Sequence, residues 1–332
     1  MRSSLLPVAL RYVDQVARSG SIQRAARELH VAASAINRQI LRLEEELGVP
    51  LFERLPRGMR LTPSGDTMVT LARRWRDDER RAGEAIRQLQ GTHQGHVRIL
   101  AMDSHTTSFL PALVDELAQA HPRITLEIEI GSTDGAITAL GGGSADLACV
   151  FNLTPRRDVH ALWHCDLPFG CVVAATHPLA RHATTSMQEA CAHPIALQSR
   201  ALHIRRYLES HHGWLFSEGQ RRVETNSLQL VKMLARSGRY VAFTSELDAA
   251  PELIEGSLRF LPVRDKSAEP QSVSVAIDAA KPLSPVTRIV ADAMVAQIQQ
   301  ALAAARAVAP APLGKGAAPA PQGRSGAARR PG

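Results

Sequence analysis

The chain has little cysteine, and what it has follows no recognised pattern. Cys149, Cys165, Cys171 and Cys191 are the four cysteines among 332 residues, and none belongs to a CxxC pair or a zinc-ligand spacing. This excludes the usual sequence signatures of a zinc site. Sparse, unpatterned cysteine is typical of proteins from a reducing compartment, so we expect a cytoplasmic protein.

Long apolar runs and catalytic motifs are also missing. No segment reaches membrane-spanning length, and the N-terminus has no signal-peptide pattern, so we expect a soluble chain without a membrane partner. There is no P-loop, GxSxG, HExxH or dinucleotide glycine fingerprint. The tight histidine pairs, His160/His164 and His211/His212, lack a convincing set of carboxylates or cysteines beside them. We therefore expect no enzyme activity, cofactor or metal.

Charge is present but unevenly distributed. Residues 1–92 contain 16 Arg, no Lys and 11 acidic residues, which gives a net charge of +5. Residues 93–305 carry −3 and residues 306–332 carry +5. A basic N-terminal part on a mildly acidic body indicates that only the N-terminal part binds a polyanion such as nucleic acid. The Ala-, Pro-, Gly- and Arg-rich end, 306–332, is expected to be a disordered tail.

Two short amphipathic helices joined by a tight turn are predicted near the N-terminus. The first covers residues 22–29 with Ser21 as its N-cap, and the second covers 33–47 with Gly48 at its end. In the second helix, apolar residues recur at intervals of four, three and four, so the polar residues between them face outward. This pattern predicts a helix-turn-helix, which places its second helix in the major groove of DNA.

A basic hairpin follows these helices around Pro56 and Gly58. The planar guanidinium of arginine suits phosphates and narrow minor grooves. A solvated basic helix pair in another kind of domain would look similar, but the complete order of turn, polar face, helix stop and arginine hairpin favours double-stranded DNA as the partner. The predicted DNA-binding residues are Ser21, Ser34, Asn37, Arg38, Arg42, Arg54, Arg57 and Arg60.

A long helix is predicted over 63–89, with Thr62 as its N-cap and Pro63 at its first position. Residues three and four apart form a mostly apolar seam, which consists of Met68, Ala72, Trp75, Glu79, Ala82, Ile86 and Leu89. This seam would pack either on the chain's own N-terminal helices or on the same helix of a second subunit. We favour a homodimer, because two recognition helices then face a two-fold operator.

Strands and helices alternate through the rest of the chain, which predicts a layered α/β body with a largely parallel sheet. The predicted strands cover 97–102, 124–130, 146–151, 170–175, 195–198, 240–244 and 273–278. The predicted helices cover 109–120, 133–140, 204–210, 227–236 and 284–304.

The N-terminal segments closely resemble the LysR-type transcriptional regulators. The matching segments are Ser19-Gly-Ser21, Ala25-Ala26-Arg-Glu-Leu29, Ala35-Ile-Asn-Arg-Gln-Ile40, Leu43-Glu-Glu-Glu-Leu-Gly48, Pro50-Leu-Phe-Glu-Arg54 and Arg60-Leu-Thr-Pro-Ser-Gly65. The resemblance is dense over about 90 residues and looser to about residue 300. Ala32 and Ala33 depart from the family's usual Ser-Gln, and Asn37 replaces its usual Ser. Base reading would therefore fall on Ser34, Asn37 and Arg38.

The resemblance implies an all-α winged helix-turn-helix domain over 1–62, a linker and dimerisation helix over 63–92, and an effector domain over 93–305. The effector domain would have two Rossmann-like α/β lobes of the periplasmic-binding-protein type. Lobe one would cover 93–162 and 268–305, and lobe two 163–267, with chain crossings near Leu162 and Val263. The family likeness also implies a homotetramer built from two dimers, contact with RNA polymerase and a small-molecule effector that controls operator binding or bending.

Ligands of open α/β sheets bind beyond the carboxyl ends of the strands, near helix N-termini. The predicted effector-binding residues in such loops are Ser104, His105, Thr106, Ser132, Thr133, Asn152, Ser199, Arg200, Asn226 and Ser227. Helix capping is an equally good role for each hydroxyl or amide, so the convergence of several loops carries this prediction. Arg200 would pair with a carboxylate effector, unless it forms a solvated helix face with Arg205 and Arg206.

Two other functions fit parts of this pattern. A cysteine-based redox sensor of the same fold would use Cys165 and Cys171, which are close in sequence. However, Cys149 and Cys171 lie in apolar strand patterns, where buried, inert thiols are expected. A plain solute-binding module would explain the body but not the basic N-terminal part.

Overall fold

The structure, a computed structural model, describes residues 7–56, 58–89, 94–199, 203–213 and 222–308. The N-terminal head consists of α1 (Val8–Ser19), α2 (Ile22–Leu29), α3 (Ala33–Leu47) and a hairpin of β1 (Phe52–Leu55) and β2 (Gly58–Leu61). The long helix α4 (Pro63–Leu89) follows. The helices predicted over 22–29, 33–47 and 63–89 are confirmed with these bounds.

The head is built around a small apolar core shared by its first three helices. Val13, Val16, Ala25 and Ile36 are fully buried there. Ala25 has only a methyl side chain, so neighbouring helices approach α2 closely at this point. The turn between α2 and α3 is tight because His30 adopts the left-handed conformation, with φ of 55°.

The hairpin is fastened to the start of α4 by a close backbone approach. The Thr62 hydroxyl accepts a hydrogen bond from the Gly65 amide at 3.0 Å and donates to the Pro50 carbonyl at 2.7 Å, which confirms the predicted N-cap. A Cβ at Gly65 would lie 2.0 Å from the Leu51 carbonyl oxygen, so only glycine fits. Ser21 differs from the prediction, because its hydroxyl donates to Gln23 Oε1 and makes no capping bond to α2.

The body contains two five-stranded sheets, as the two-lobe prediction requires. The first sheet has the order β4-β3-β5-β12-β6. Its elements are β3 (Gly95–Ala101), α5 (Leu110–Ala120), β4 (Ile124–Ile130), α6 (Thr133–Gly142), β5 (Leu147–Phe151), β6 (Val159–Leu167), β12 (Gln271–Asp278) and α11 (Pro285–Val308). Strands β3, β4 and β5 pair in parallel, whereas β12 runs antiparallel to both β5 and β6.

The second sheet has the order β11-β7-β10-β8-β9. Its elements are β7 (Gly170–Ala174), α7 (Met187–Cys191), β8 (Ile195–Gln198), α8 (His203–His211), β9 (Arg222–Thr225), α9 (Leu228–Arg236), β10 (Val241–Phe243), α10 (Ala250–Glu255) and β11 (Leu258–Pro262). Strand β8 pairs in parallel with β9 and β10, whereas β7 is antiparallel to β10 and β11. Both sheets are therefore mixed rather than largely parallel.

Among the described residues, no helix has the length and apolar character to cross a membrane.

The first chain crossing lies later than predicted. Leu162 falls inside β6, which stays in the first sheet until Leu167 because β12 hydrogen-bonds along its whole length. Ending β6 earlier would leave backbone donors and acceptors of β12 unpaired. The second crossing lies between Pro262 and Gln271 and includes Val263. Helix α11 continues to Val308, so residues 306–308 of the predicted tail are helical, and 309–332 lie outside the described residues.

Helix α4 is held to the head by a buried carboxylate from α1. Asp14 is fully buried and pairs with Arg73 at 3.0 Å and with Arg76 at 2.6 Å. Burial opposes ionisation of Asp14, but Arg76, Arg18 and Arg73 outweigh it and lower the pKa of the carboxyl. The carboxylate therefore stays charged and fixes the angle at which α4 leaves the head.

The middle of α4 is held to the first lobe by a second buried charge cluster. Arg98 of β3 donates to Asp77 Oδ1 at 2.6 Å and to Asp146 Oδ1 at 3.0 Å, and Arg80 also pairs with Asp146. Burial opposes ionisation of Asp146, but Arg98 and Arg80 prevail and lower its pKa. Burial dominates at Asp77 and raises its pKa. Arg98 therefore contacts both carboxylates, while Arg80 pairs in addition with Asp146 and Lys281 with Asp77 at 3.8 Å.

Replacing Arg98 tests this anchor. We expect Arg98→Met to lower the free energy of unfolding by about 3–5 kcal/mol, because it leaves buried carboxylates short of their cation. Urea unfolding followed by circular dichroism would measure the change. The control is Arg156→Met, which removes an exposed ion pair to Asp158 and should have no measurable effect. Equal effects of the two substitutions would contradict the anchor.

Candidate nucleic-acid interface and interlobe cleft

The head gathers four of the predicted DNA-binding residues on one concave surface. Ser21, Ser34, Asn37 and Arg54 line a depression of about 500 Å³ between the start of α2, the start of α3 and the hairpin. Ser34 and Arg54 are exposed, and Ser21 and Asn37 are half-buried. The surface therefore presents hydroxyl, amide and guanidinium groups side by side, which are the groups that bind base edges and phosphates.

A hydrogen bond joins the hairpin to the recognition helix within this surface. Arg54 Nη2 donates to Asn37 Oδ1 at 2.8 Å, although the two residues are 17 positions apart. The bond orients the Asn37 amide and holds the Arg54 guanidinium over the first turns of α3. The hairpin thus shapes the helix surface that would face the groove.

The other predicted arginines lie around this surface with exposed partners. Arg42 pairs with Glu46 at 2.9 Å along α3, and Arg60 pairs with Glu53 at 2.5 Å across the hairpin. Exposed pairs of this kind are worth only about 0–1 kcal/mol, so a phosphate can replace the carboxylate. Arg38 is exposed on α3. Arg57 lies outside the described residues.

A second site lies where the two lobes meet. A cavity of about 50 Å³ is lined by Met102, Asp103, Ser104, Phe151, Gln198, Ile204, Leu228, Asp248 and Gln271. Residues 102–104 follow β3, Phe151 ends β5 and Gln198 ends β8. The cavity therefore sits at the carboxyl ends of parallel strands from both sheets, which is where open α/β folds bind ligands.

Asp248 is the buried charge of this cavity. It follows β10, and only 6% of it is exposed. Burial raises the pKa of its carboxyl, and the hydroxyls of Ser104, Thr244 and Ser245 offset part of that rise. Thr244 donates to Asp248 Oδ2 at 3.0 Å. The site thus contains a carboxyl whose charge is only partly compensated.

The structure places Ser104 in the cavity wall, and the other predicted effector residues lie around it in structural roles. His105 is buried, with its ring beside Phe109 and Phe151, and burial lowers its pKa to about 3. Its Nδ1 accepts a hydrogen bond from the Met102 amide. The Thr106 hydroxyl donates to a carbonyl of its own turn.

Most of the remaining predicted residues serve the backbone. Ser132 and Ser227 cap α6 and α9. The Thr133 hydroxyl donates to the Phe151 carbonyl, and Asn152 Oδ1 accepts from the Ser272 amide at 2.8 Å.

Three predicted effector-binding residues remain, which are Ser199, Arg200 and Asn226. Ser199 donates its amide to the Thr225 carbonyl, and Asn226 is exposed. Arg200 lies outside the described residues. Capping and backbone pairing therefore account for most of this set within the described part of the chain.

Sequence reasoning missed four polar residues of the cavity, which are Asp103, Gln198, Asp248 and Gln271. Asp103 directly precedes the predicted Ser104. Gln198 and Asp248 follow the parallel strands β8 and β10, so the strand-end rule applied to every strand would have found them. Gln271 begins the antiparallel strand β12, and no local signal marks it.

Hydrogen bonds from α9 also join the lobes. Gln229 Nε2 and Lys232 Nζ donate to Thr107 Oγ1 of the first lobe at 2.8 and 3.1 Å. Lys232 is 1% exposed, contacts the Asp248 carbonyl at 3.1 Å and pairs with Glu252 Oε1 at 2.8 Å. A single buried ammonium therefore connects α9, the loop beside the cavity and the opposite lobe.

Three of the four cysteines lie in environments that disfavour reactivity, and Cys165 is half-buried. All four are free, and Cys149, Cys171 and Cys191 are buried, which confirms the prediction for the first two. Burial raises the pKa of all three thiols, and that of Cys191 reaches about 12. Because the thiolate is the reactive form, these thiols are expected to be inert.

Two family models match the chain. Residues 8–66 match a bacterial regulatory helix-turn-helix protein of the lysR family, and residues 90–299 match a LysR substrate binding domain. The two matches divide the chain into the same head and body that the structure shows.

Individual relatives agree with these matches. The chain is 30% identical over 246 residues to a probable nitrogen assimilation transcriptional activator of Synechococcus elongatus, which covers 73% of this chain and 78% of that protein. It is 29% identical over 233 residues to a RuBisCO operon transcriptional regulator of Allochromatium vinosum, and the match covers 69% of this chain and 76% of that protein. Full-length OxyR of Pseudomonas aeruginosa has a similar fold, with a TM-score of 0.67 at 23% identity over 89% of this chain and 95% of that one.

Replacing Lys232 tests the buried connection between the lobes. We expect Lys232→Met to lower the free energy of unfolding by about 3–5 kcal/mol, because Glu252, whose side chain is only 13% exposed, loses its cation. Chemical unfolding of the full chain would measure the loss. Arg236→Met, on the same helix but in an exposed pair with Glu255, should change stability little. A Lys232→Met protein as stable as the Arg236→Met protein would disprove the role assigned to this ammonium.

Proposed function

Since the chain belongs to the LysR family of transcriptional regulators, we propose that its head reads DNA through the surface formed by Ser21, Ser34, Asn37 and Arg54. The observation that carries this proposal is the Arg54–Asn37 hydrogen bond, which combines the hairpin and α3 into one surface. Helix α3 enters the major groove, and the hairpin lies along the neighbouring backbone.

The residues of this surface divide into two roles. Ser34, Asn37 and Arg38 read base edges, for which asparagine suits adenine and arginine suits guanine. Arg54, Arg57 and Arg60 contact phosphates and set the register of the head on the duplex, and Arg42 and Ser21 assist from the helices. Ala32 and Ala33 add only apolar contacts at the start of α3.

Two substitutions distinguish base contacts from phosphate contacts. Asn37→Ala should cost about 1–3 kcal/mol on the operator and relax the preference at one base pair. Arg60→Ala should weaken binding to all sequences alike and reduce the slope of log K against log salt by about 1. Fluorescence anisotropy with fragments of the gene's own promoter region and with scrambled DNA would measure both effects.

The control for this experiment is Arg156→Ala, an exposed arginine on the body that should leave DNA binding unchanged. Complete absence of binding by the unaltered protein at low salt would refute the proposed function. Equal losses on operator and scrambled DNA for Asn37→Ala would refute its base-reading role.

We also propose that the protein is a homodimer through the exposed part of α4. The seam predicted on this helix divides in two. Met68 and Ala72 pack on the chain's own head, whereas Trp75 is 45% and Ile86 is 58% exposed. Large apolar side chains exposed on this helix support a partner helix, and two heads then face a two-fold operator.

Trp75→Asp tests the dimer. A charge at the centre of an apolar helix pair should prevent association, so the variant is expected to sediment as a monomer in analytical ultracentrifugation. Thr67→Asp, an exposed position near the start of the same helix, is the charge-matched control and should remain dimeric. An undisturbed Trp75→Asp dimer would show that this surface is not the interface.

The cavity between the lobes completes the proposed mechanism. A small-molecule effector that binds there shifts the arrangement of lobes or subunits, and it does so only through its different affinity for the two arrangements. Assembly of two dimers into a tetramer and contact with RNA polymerase are part of the same proposal, on the strength of the family likeness. The buried thiols give no support to the alternative of a cysteine-based redox sensor.

A further inference from the structure

The interlobe cavity contains buried polar atoms without hydrogen-bond partners. Within the described residues, Gln198 Oε1 and Gln271 Nε2 have none, and Asp248 Oδ1 and Ser104 Oγ make no bond of good geometry, although the Ser104 hydroxyl lies close enough to Asp248 to lower its pKa. Asp248 and Gln198 are each 6% exposed and Ser104 is 7% exposed. All four residues line the same cavity.

Such atoms are costly when they stay unpaired. A buried donor or acceptor without a partner costs about 1–3 kcal/mol, and a charged one costs more, so nearly all are paired in folded proteins. Asp248 and Gln198 belong to the second lobe, whereas Ser104 and Gln271 belong to the first sheet or the loop after it. Four such atoms around one cavity indicate groups that a ligand satisfies. The cavity of about 50 Å³ is small. One water needs about 10–15 Å³ on this scale, so the cavity admits a ligand of only a few non-hydrogen atoms.

The charge around the cavity selects the sign of the ligand. Among the described residues that line it, Asp103 and Asp248 are acidic and none is basic. The neighbouring Lys232 ammonium is already paired with Glu252. A carboxylate placed here would meet the Asp248 carboxyl at short range, whereas a cation would offset it.

The unpaired atoms also select the chemistry of the ligand. Asp248 Oδ1 and Gln198 Oε1 accept hydrogen bonds, and Ser104 Oγ can accept with its lone pairs while its proton faces Asp248. A primary ammonium has three protons to donate. Gln271 Nε2 donates, so it suits an oxygen elsewhere on the ligand. The combination matches a short molecule with an ammonium group at one end and a hydroxyl at the other.

We propose that the effector is a small primary ammonium compound with a neutral oxygen group, of the size of an amino alcohol, held by Asp248, Gln198 and Ser104. This inference rests on the proposed function of the cleft as the effector site. The ammonium neutralises the buried carboxyl, and because its partners lie on both lobes, it stabilises the arrangement in which the lobes are together.

Ethanolamine is the probe for this site, with two matched controls of similar size. Ethylene glycol replaces the ammonium with a hydroxyl, and glycolate replaces it with a carboxylate. We expect ethanolamine to raise the melting temperature of the full-length protein in a thermal-shift assay and to give a measurable Kd by calorimetry. Ethylene glycol, glycolate and potassium chloride at equal ionic strength should not.

Variants of the cavity test the residues. Asp248→Asn should weaken ethanolamine binding at least tenfold. Gln198→Met removes a second acceptor and should weaken binding by a similar factor, so it provides the test should Asp248→Asn fold poorly. The control is Asp115→Asn, an exposed carboxylate on α5, which should leave the Kd unchanged.

The outcomes separate this inference from the proposed function. Stabilisation by glycolate or potassium chloride instead of ethanolamine, no binding of ethanolamine at all, or ethanolamine binding that is unchanged in both cavity variants would overturn the ammonium assignment. Operator binding by the same preparation, measured in parallel, would leave the regulator itself intact. Loss of the proposed function would appear instead as an absence of DNA binding.

Discussion

Buried charge that must be paired is the constraint on which the arrangement of this molecule depends. Helix α4 connects the head to the body, and buried carboxylates hold it at two places. Asp14 of α1 pairs with Arg73 and Arg76 in the middle of α4, and Asp77 in the next turn, with Arg98 and Asp146, joins the helix to the first lobe. Since an unpaired buried charge costs several kcal/mol, α4 has one preferred position relative to each part. Helix α4 thus joins the head to the first lobe through paired buried charges.

The same rule explains how the lobes relate to each other. Lys232 is satisfied by Glu252, Thr107 and the Asp248 carbonyl, so it closes one side of the boundary between them. In the adjoining cavity, Asp248 Oδ1 and Gln198 Oε1 are acceptors without a hydrogen bond of good geometry. Lys232 stabilises the lobes in their present arrangement. Under the proposed function, Asp248 and Gln198 gain hydrogen bonds when an effector binds between the lobes, so occupancy of the cleft favours that arrangement.

The proposed DNA-binding surface depends less on buried charge and more on local geometry. Its arginines are exposed and weakly paired, so they exchange carboxylate for phosphate at little cost. Its shape is fixed by the close approach of Gly65 to the Leu51 carbonyl and by the Arg54–Asn37 bond. The head therefore combines a rigid backbone with charged side chains that remain able to adjust to the duplex.

Local features of the chain were enough to predict α2, α3 and α4, together with the Thr62 cap and the Gly48 stop, because periodicity and capping involve residues only a few positions apart. The alternation of strands and helices likewise predicted a layered α/β body, and the family resemblance added its division into two lobes. The end of β6 at Leu167, the division of the α4 seam and the walls of the cavity were decided by tertiary structure. Each depends on partners far away in sequence: β12 pairs with β6 from more than 100 residues downstream, and Gln271 reaches the cavity only because that strand returns to the first sheet. Backbone pairing and the burial of charge act through space, and a pattern along the chain does not contain them.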